Sequence, residues 1–461
     1  MVLLGTAFHP LWSQSVSAGG RHSLAICSDS TTISWGYNGF GQLGDGSIIP
    51  RPAGLPVASL SGIQFVAGGL FHSLFVHRDG RVWASGRNTA GPLGDGSQTD
   101  QPIPVPVLGL TDIIQAAGGG EHSLFIKKDG TVYATGRNSA GQLGDGTSSN
   151  RSVPVNVKLQ GEVVQIAGGA EYSLFLKADG TVWACGHNGY GQLGLGSNTS
   201  TTTAVRIPSL NDVIRISAGE WHSLFVKKDG TVWACGRNQY GQLGDGSTMD
   251  RNSPVPITSL SGITDAEAGG IHSVFVKNDG SAWACGLNSG GNNDGQLGNG
   301  NNTDQNIPVQ VIPSWGANRK VIRAEATREH SLFLTDDHQI WACGRNNYGQ
   351  LGYGTATTGN SLVPVLSTPA CALQPVSTFH EKGKDIPAPF PNPSGSGIFQ
   401  LDLPGNAEWT VTVTNINRQA IVSNQKVKGK HRIDLSDFPK GMYWLFLRSE
   451  NAVGMRLLHS L

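Results

Sequence analysis

Short apolar stretches alternate with glycine-rich polar breaks along most of the chain. Residues 112–127 hold two such stretches separated by glycines, and residues 131–136 hold a third that is rich in β-forming residues. Asp129-Gly130 precedes the third stretch and is a hairpin signal, because both central positions of a two-residue turn need positive φ. A fourth stretch follows at 153–157, and no segment keeps a helical apolar period. The pattern predicts a unit of four short strands.

The unit recurs seven times, as two markers indicate. The first is a histidine or tyrosine followed by serine, at His22, His72, His122, Tyr172, His222, His272 and His330. The second is Gly-Gln-Leu-Gly or a close variant, beginning at Gly41, Gly91, Gly141, Gly191, Gly241, Gly295 and Gly349. One four-stranded sheet cannot bury both of its faces, whereas seven arranged radially bury them and leave only short edges. Residues 15–367 are therefore predicted to form a seven-bladed β-propeller, an all-β fold.

Two slots in the third strand suggest how the blades pack. The first is expected to be buried between blades and holds Trp83, Tyr133, Trp183, Trp233, Trp283 and Trp341, with Ile33 in the first copy. The second holds Ser85, Thr135, Cys185, Cys235, Cys285 and Cys343. A slot that accepts serine, threonine and cysteine favours small buried thiols over disulfides. Cys27 and Cys371 remain; export would permit a bridge between them, but we expect none.

Composition and charge narrow the classes of function. The repeat accounts for most of the 64 glycines, and the 33 basic residues balance the 33 acidic ones. A neutral chain without a basic run is a poor nucleic-acid binder, because neutralising phosphates needs clustered lysine and arginine. No apolar run reaches the roughly 18 residues that would span a bilayer. We therefore expect neither a nucleic-acid partner nor a membrane span.

Three motifs of the repeat resemble those of the regulator of chromosome condensation repeat family. They are Ala-Gly-Gly-x-x-His-Ser-Leu, Asp-Gly-x-Val-Trp-Ala-x-Gly and Asn-x-x-Gly-Gln-Leu-Gly. The resemblance covers roughly three quarters of the chain and independently implies a seven-bladed propeller. The family's namesake is a guanine nucleotide exchange factor that acts through a wedge inserted in an early blade. Here the first six copies keep a 50-residue period, which leaves no room for such a wedge.

After the last repeat the composition changes. Residues 368–389 are predicted to be a proline-rich linker, and residues 390–461 contain alternating stretches that predict a small C-terminal β-sandwich. This tail resembles the C-terminal sorting domain of the type IX (Por) secretion system of Bacteroidetes. The sorting motif residues are Pro391, Asn392, Pro393, Gly441 and Tyr443. The resemblance implies handling by that machinery and a secreted or outer-membrane surface location in a Gram-negative bacterium. The mildly apolar residues 1–14 are interpreted as a signal-peptide remnant.

The repeat histidines do not predict a metal site. They occupy one slot in successive blades and are spread around a ring, whereas zinc ligands converge on the metal at about 2 Å. We interpret them as structural residues that bond the local backbone. The sequence shows no serine nucleophile elbow, phosphate loop or zinc-helix signature. It therefore predicts no catalytic residue, no metal and no cofactor.

The positions just before the histidine slot differ between repeats. Positions that build the scaffold keep the same residue type from repeat to repeat, whereas positions that bind a partner can differ. These positions follow the glycine break, so they lie in equivalent loops on one face of the ring. The binding candidates are Arg21, Phe71, Glu121, Glu171, Trp221, Ile271, Arg328 and Glu329. A second set, before Gly-Gln-Leu-Gly, is interpreted as packing residues and comprises Phe40, Tyr190, Tyr240 and Tyr348.

The leading hypothesis is a non-catalytic, exported, monomeric propeller that binds an extracellular protein or a glycan. One alternative is an enzyme inhibitor, since some bacterial propellers of the resembling family inhibit β-lactamases. Nucleotide exchange and glycan hydrolysis are weaker alternatives. Hydrolysis needs two acids about 5–10 Å apart, and Glu121 and Glu171 are the candidates for that pair.

Overall fold

Each repeat folds into an antiparallel four-stranded sheet whose strands follow chain order. In the computed structural model the described residues of the repeat region are 16–27, 30–289, 295–354 and 361–367. The hairpin at Asp129-Gly130 differs from the two-residue turn that the sequence predicts. Only Gly130 has a positive φ, at 82°, and Lys127 exchanges backbone hydrogen bonds with Gly130 and Thr131. The loop therefore has three residues and ends on a left-handed glycine, the other common hairpin solution.

The strands of the first four blades are as follows. Blade 1 contains β1 Val16–Ala18, β2 His22–Ile26, β3 Thr32–Gly36 and β4 Arg51–Pro56. Blade 2 contains β5 Ile63–Gly68, β6 His72–His77, β7 Val82–Gly86 and β8 Gln101–Pro106. Blade 3 contains β9 Ile113–Gly118, β10 His122–Lys127, β11 Val132–Gly136 and β12 Arg151–Asn156. Blade 4 contains β13 Val163–Gly168, β14 Tyr172–Lys177, β15 Val182–Gly186 and β16 Thr201–Arg206.

Three further blades complete the ring. Blade 5 contains β17 Val213–Ala218, β18 His222–Lys227, β19 Val232–Gly236 and β20 Arg251–Pro256. Blade 6 contains β21 Ile263–Ala268, β22 His272–Lys277, β23 Ala282–Gly286 and β24 Gln305–Gln310. Blade 7 contains β25 Val321–Ala326, β26 His330–Thr335, β27 Ile340–Gly344 and β28 Ser361–Leu366.

The first strands of the blades line the centre of the ring. Each contacts the first strand of the next blade, and β1 of blade 1 contacts β25 of blade 7. The ring is therefore closed, with seven blades and no helix among the described residues. Every blade comes from a single repeat, so the two ends of the repeat region lie in adjacent blades. The predicted seven-bladed all-β propeller is confirmed.

The buried aromatic column between blades is not the one that the sequence predicts. The second strands supply it, with the fully buried side chains Phe75, Phe125, Phe175, Phe225, Phe275 and Phe333. Each tryptophan of the slot that the sequence expected to be buried pairs with one of these phenylalanines but is only half-buried, as for Trp183. The Lys177 ammonium lies 3.9 Å from the centre of the Trp183 ring. Four of these tryptophans, Trp83, Trp183, Trp233 and Trp283, thus hold a lysine or arginine cation near the ring while they pack at the edge of the core.

The seam, which is the contact between blade 7 and blade 1, is closed by side chains. Trp35 occupies the small-residue slot of blade 1 and is fully buried there. Its indole N–H donates to the backbone oxygen of Gln350, at 3.0 Å. The backbone N–H of Gly354 donates to the oxygen of Pro52, at 3.0 Å. Among the described residues no strand of one blade enters the sheet of the other, so the seam relies on side-chain packing and on hydrogen bonds such as these.

The cysteines meet one expectation and contradict another. The thiols of Cys185, Cys235, Cys285 and Cys343 are free and buried, as the slot predicts. Burial raises the pKa of each thiol well above its usual value, so these are inert structural groups. Cys27, however, is disulfide-bonded, and the expectation that it is unbridged is wrong. Cys371, the second cysteine of that expectation, lies outside the described residues.

The C-terminal unit is described by its strands alone. These are β29 Ile398–Asp402, β30 Trp409–Asn415, β31 Ala420–Val427, β32 Lys430–Asp434, β33 Gly441–Arg448 and β34 Val453–Ser460. Strands β31, β30, β33 and β34 form one antiparallel sheet, and β29 pairs with β32 in a second. Gly441 and Tyr443 lie in β33, where they pair with Ser460 and Leu458. The β-sandwich stays a prediction, and residues 1–14, the 368–389 linker and Pro391, Asn392 and Pro393 lie outside the described residues.

We expect Trp35→Ala to lower the free energy of unfolding by about 3–5 kcal/mol, because it empties a fully buried site at the seam. Trp35→Phe should cost only about 1 kcal/mol, since it mainly deletes the hydrogen bond to Gln350. Urea unfolding measures both changes. Trp183→Ala, which truncates a half-buried aromatic within the ring, is the matched control with a smaller expected loss. Equal losses for the two alanine variants would contradict the role of Trp35 in closure.

Candidate binding face of the propeller

The loops after the first and third strands of every blade lie on one face of the ring, because strand direction alternates in a meander. In blade 3, His122 at the start of β10 pairs with Gly136 at the end of β11. Glu121 and Arg137 flank this pair, and their side chains form an ion pair at 3.2 Å. We call this surface the loop face. It is the face on which the sequence places its binding candidates.

A belt of seven side-chain hydrogen bonds runs beneath the loop face, one between each pair of neighbouring blades. In six of them a histidine Nε2 lies 2.8–3.1 Å from a serine Oγ of the next blade. The pairs are His22–Ser73, His72–Ser123, His122–Ser173, His222–Ser273, His272–Ser331 and His330–Ser23. In the seventh, the Tyr172 hydroxyl lies 3.1 Å from Ser223 Oγ and donates to the backbone oxygen of His222.

The direction of these bonds fixes the histidine tautomer. The Ser73 hydroxyl donates to the backbone oxygen of Gln42, at 2.7 Å. A hydroxyl has a single proton, so Ser73 accepts from the Nε2–H of His22. The histidines are therefore structural, but the expectation that they bond the local backbone is wrong, since their partner is a side chain of the next blade.

Burial holds the belt histidines neutral. It lowers the pKa of His22 to about 3 and that of His72 to about 4, because a charged imidazole would lose its hydration. In blades 1 to 6 the glycine three residues before the belt histidine, or before the tyrosine of blade 4, makes room for the ring. A Cβ on Gly19 would lie 2.1 Å from Cε1 of His22. Blade 7 departs from this pattern, because Thr327 stands at the equivalent position and its hydroxyl lies 2.7 Å from Nδ1 of His330.

Aromatic rings and two arginines meet on the loop face of blades 7, 1 and 2. The ring centre of Tyr37 lies 4.8 Å from that of Tyr348 and 6.3 Å from that of Phe71. Phe40 lies 5.2 Å from Phe71, and the Arg87 guanidinium lies 5.2 Å from the centre of the Phe40 ring. We call this group the aromatic–arginine cluster; its members are Arg21, Tyr37, Phe40, Phe71, Arg87 and Tyr348.

A chain of ion pairs continues from this cluster to blade 4. Glu121 lies 3.1 Å from Arg87 and 3.2 Å from Arg137. Arg137 also reaches Glu171, at 3.5 Å. The guanidinium of Arg137 therefore joins the two acids that were the candidates for glycan hydrolysis. They belong to a charge ladder instead of flanking an open cleft.

A second aromatic group lies between blades 4 and 5. The Trp221 ring centre is 5.4 Å from that of His187 and 5.7 Å from that of Tyr190. The Arg237 guanidinium lies 5.2 Å from the centre of the Tyr190 ring. Trp221 is thus held by its neighbours as a half-buried surface residue.

The remaining binding candidates from the sequence also lie on the loop face. Glu329 bonds both Arg21, at 2.9 Å, and Arg345, at 3.0 Å. Arg328 lies 3.1 Å from Glu220 at the axial mouth of the ring, and burial raises the pKa of that acid. Ile271 is half-buried, as are all eight candidates. Most of the eight candidates therefore contact side chains from other positions of the repeat, and none of the eight protrudes as an isolated loop tip.

One slot on the loop face was not singled out from the sequence. It follows the glycine that ends the third strand, and it holds Tyr37, Arg87, Arg137, His187, Arg237, Leu287 and Arg345. The sequence did contain a signal for this slot, because its residue type differs between repeats, as it does at the positions just before the histidine. The aromatic set before Gly-Gln-Leu-Gly, interpreted as packing residues, supplies Phe40, Tyr190 and Tyr348 to the surface groups.

Charged side chains also line the first strands of blades 5 to 7. Arg215 lies 2.5 Å from both Asp265 and Glu267, and Arg323 lies 3.0 Å from Glu325. Burial raises the pKa of Glu267 and brings that of Glu325 to about 7. Blades 3 and 4 carry glutamines at the position of Arg215. This buried network ties three blades together near the axis.

Within the part of the chain that the structure describes, no three or more His, Cys, Asp and Glu side chains are grouped so that they could hold a metal ion. The same residues include no helix that is long and apolar enough to cross a membrane.

Three family models match this chain. The regulator of chromosome condensation (RCC1) repeat matches residues 79–126, 129–176, 179–226, 229–276, 279–334 and 337–376, and a second model of that repeat begins at residue 14. A secretion system C-terminal sorting domain matches residues 388–458. This tail indicates export by the type IX system to the cell surface or the extracellular space.

Comparisons with individual proteins agree with the fold. The ultraviolet-B receptor UVR8 of Arabidopsis thaliana is 31% identical over 142 residues, which are 29% of this chain and 32% of the receptor. The matched stretch thus spans about a third of that relative. Human WBSCR16 is 25% identical, with a TM-score of 0.65 over 73% of this chain and 93% of its own. Yeast RCC1 (Prp20), solved with Kap60 bound, is 21% identical, with a TM-score of 0.64 over 73% of this chain and 83% of its own.

We expect Ser123→Ala to lower the free energy of unfolding by about 1–3 kcal/mol. The change leaves His72 Nε2 and the backbone oxygen of Pro92 buried without their partner. Ser149→Ala, at an exposed loop position, is the control and should change stability by less than about 0.5 kcal/mol. Chemical denaturation of the two variants tests the belt, and equal stabilities would contradict it.

We expect stability to fall as the pH drops from 7 toward 4. The belt histidines have folded pKa values of about 3 to 4 against 6.5 when unfolded. In that window only the unfolded chain takes up their protons, so each lowers stability by up to about 1.4 kcal/mol per pH unit. Glu325, with its raised pKa, acts in the opposite direction, but six histidines outweigh it.

Urea midpoints at pH 7.5 and pH 5 measure this dependence. His122→Gln removes one titrating group and should flatten the slope of stability against pH by about one proton. Midpoints that do not change between these pH values would show that the histidines are protonated in the folded ring.

Proposed function

Because the chain belongs to the regulator of chromosome condensation repeat family and carries a secretion sorting domain, we propose that it is an exported propeller that binds a protein partner and catalyses no reaction. The binding surface is the loop face. The aromatic–arginine cluster across blades 7, 1 and 2 is its centre. Its composition is the single observation that carries this proposal.

Tyrosine, tryptophan and arginine are the residues most enriched at the energetic centres of protein interfaces. The cluster gathers four aromatic rings and two guanidinium groups on one stretch of the surface. The rings meet edge to face, and Arg87 lies within 6 Å of the centres of both Phe40 and Phe71. Each side chain is therefore held by its neighbours before a partner arrives, which lowers the entropy lost on binding.

Neither enzymatic alternative gains support from these contacts. Arg137 joins Glu121 to Glu171, so the two acids do not flank a space for a sugar. The even spacing of the first six repeats argues against nucleotide exchange of the namesake's kind. The β-lactamase type of inhibition remains one form that a protein partner of the loop face can take.

Protein partners captured from the host's culture medium by the full chain, and then purified, provide the test. Phe71→Ala should weaken such a complex by on the order of 2 kcal/mol, or about thirty-fold in Kd, if Phe71 is at the centre of the interface. Lys128→Ala is the control, because Lys128 is exposed on the hairpin at the opposite face. Calorimetric titration gives both constants, with the melting temperature as a check on folding. If neither Phe71→Ala nor Arg87→Ala weakens the complex more than the control does, the loop face is not the binding surface.

A further inference from the structure

The fourth repeat, like blades 2, 6 and 7, lacks an ion pair that the other three repeats share. In blades 1, 3 and 5 an aspartate in the loop after the third strand pairs with an arginine six residues on, at 2.8 Å. In blade 4 these two positions hold Leu195 and Thr201. In the loop of blade 4 the Asn198 side chain donates to the backbone oxygen of Gly189, at 3.1 Å.

A cavity of about 370 Å³ lies between this loop and the outer strand of blade 5. It is lined by Tyr190, Asn198, Asp250, Arg251, Asn252, Ser253 and Val255. Its volume falls in the range of small-molecule sites, which is about 300–1,000 Å³.

The cavity depends on a small side chain in its wall. Ser253 Oγ lies 3.7 Å from the position of a Cβ on Gly196 of the preceding loop. At the equivalent place in blades 2, 3 and 6 stand Ile103, Val153 and Ile307. Serine at this position leaves space and adds a hydroxyl where those blades present hydrocarbon.

We propose that this cavity binds a neutral sugar. The C–H face of a pyranose packs on an aromatic ring, which Tyr190 supplies, and its hydroxyl groups need donors and acceptors side by side. Asn198 and Asn252 each offer both, and Asp250 offers a carboxylate. The site goes beyond the proposed protein-binding function, since it uses other residues in other blades.

The charges of the cavity favour a neutral ligand over a phosphate or a carboxylate. Arg251 already pairs with Asp245, at 2.8 Å. Asp250 adds a negative charge to the wall that would repel an anion. The Tyr190 ring is fixed by Trp221, His187 and Arg237. The aromatic platform is thus formed before the sugar binds, which favours affinity.

The test is calorimetric titration of the full chain with maltotriose, cellotriose and chitotriose. We expect at least one of these sugars to bind with a submillimolar Kd. Ser253→Ile introduces the residue found in blades 2 and 6, so it should fold normally while filling the cavity and weakening binding at least ten-fold. Asp250→Asn should weaken binding several-fold. The substitution keeps the hydrogen bond from the backbone N–H of Asn238 to this side chain, because Asn150 accepts the equivalent bond from the backbone N–H of Asn138.

Tyr240→Ala is the matched control for Tyr190→Ala. Tyr240 occupies the same slot one blade further, beside Ile307 instead of Ser253. We expect Tyr190→Ala to lose sugar binding and Tyr240→Ala to keep the wild-type affinity.

The proposal is overturned if none of the three sugars binds saturably, or if Ser253→Ile binds sugar as the wild type does. Phe71→Ala should leave the sugar affinity unchanged and Ser253→Ile should leave the protein partner bound, so failure of one proposal is distinguishable from failure of the other.

Discussion

The propeller depends on the closed belt of buried hydrogen bonds that joins every blade to the next. Each link uses a neutral histidine, or Tyr172 in one blade, and a serine that also bonds a backbone oxygen. A buried polar group without its partner costs about 1–3 kcal/mol. The belt therefore fixes how neighbouring blades sit, whereas apolar packing alone would allow them to slide.

Because the belt and the phenylalanine column beneath it repeat, the loop face above them can vary freely. Aromatic rings and arginines gather over blades 7, 1 and 2, a charge ladder runs from Arg87 to Glu171, and a second aromatic group surrounds Trp221. Each surface group joins side chains of adjacent blades. Its geometry is thus set by the spacing of the blades, and a change in one repeat alters chemistry at two blade contacts.

Periodicity was enough to predict the blades, their number and the face that carries the variable loops. It could not predict contacts across blades, because these depend on the rotation from one blade to the next. The histidines are an example, since their serine partners lie in the following repeat. Trp35 is another: the sequence suggests a small buried slot in six repeats, and in the first repeat the seam accommodates an indole at that position. The arginines after the third strand were missed because lysines and arginines at loop positions usually indicate only solvated surface.

Cys27 is disulfide-bonded, so the covalent state of the seam depends on the cellular compartment in which the chain lies. Cys27 packs among apolar side chains that both end blades contribute, including Leu332 and Leu334. Disulfides persist outside the cytoplasm and are rare within it. Thiols stay reduced in the cytoplasm, so the disulfide of Cys27 forms only after the chain leaves that compartment. The exported chain therefore carries a cross-link that the newly synthesised chain lacks, and a cross-link of this kind limits the conformations of the unfolded state.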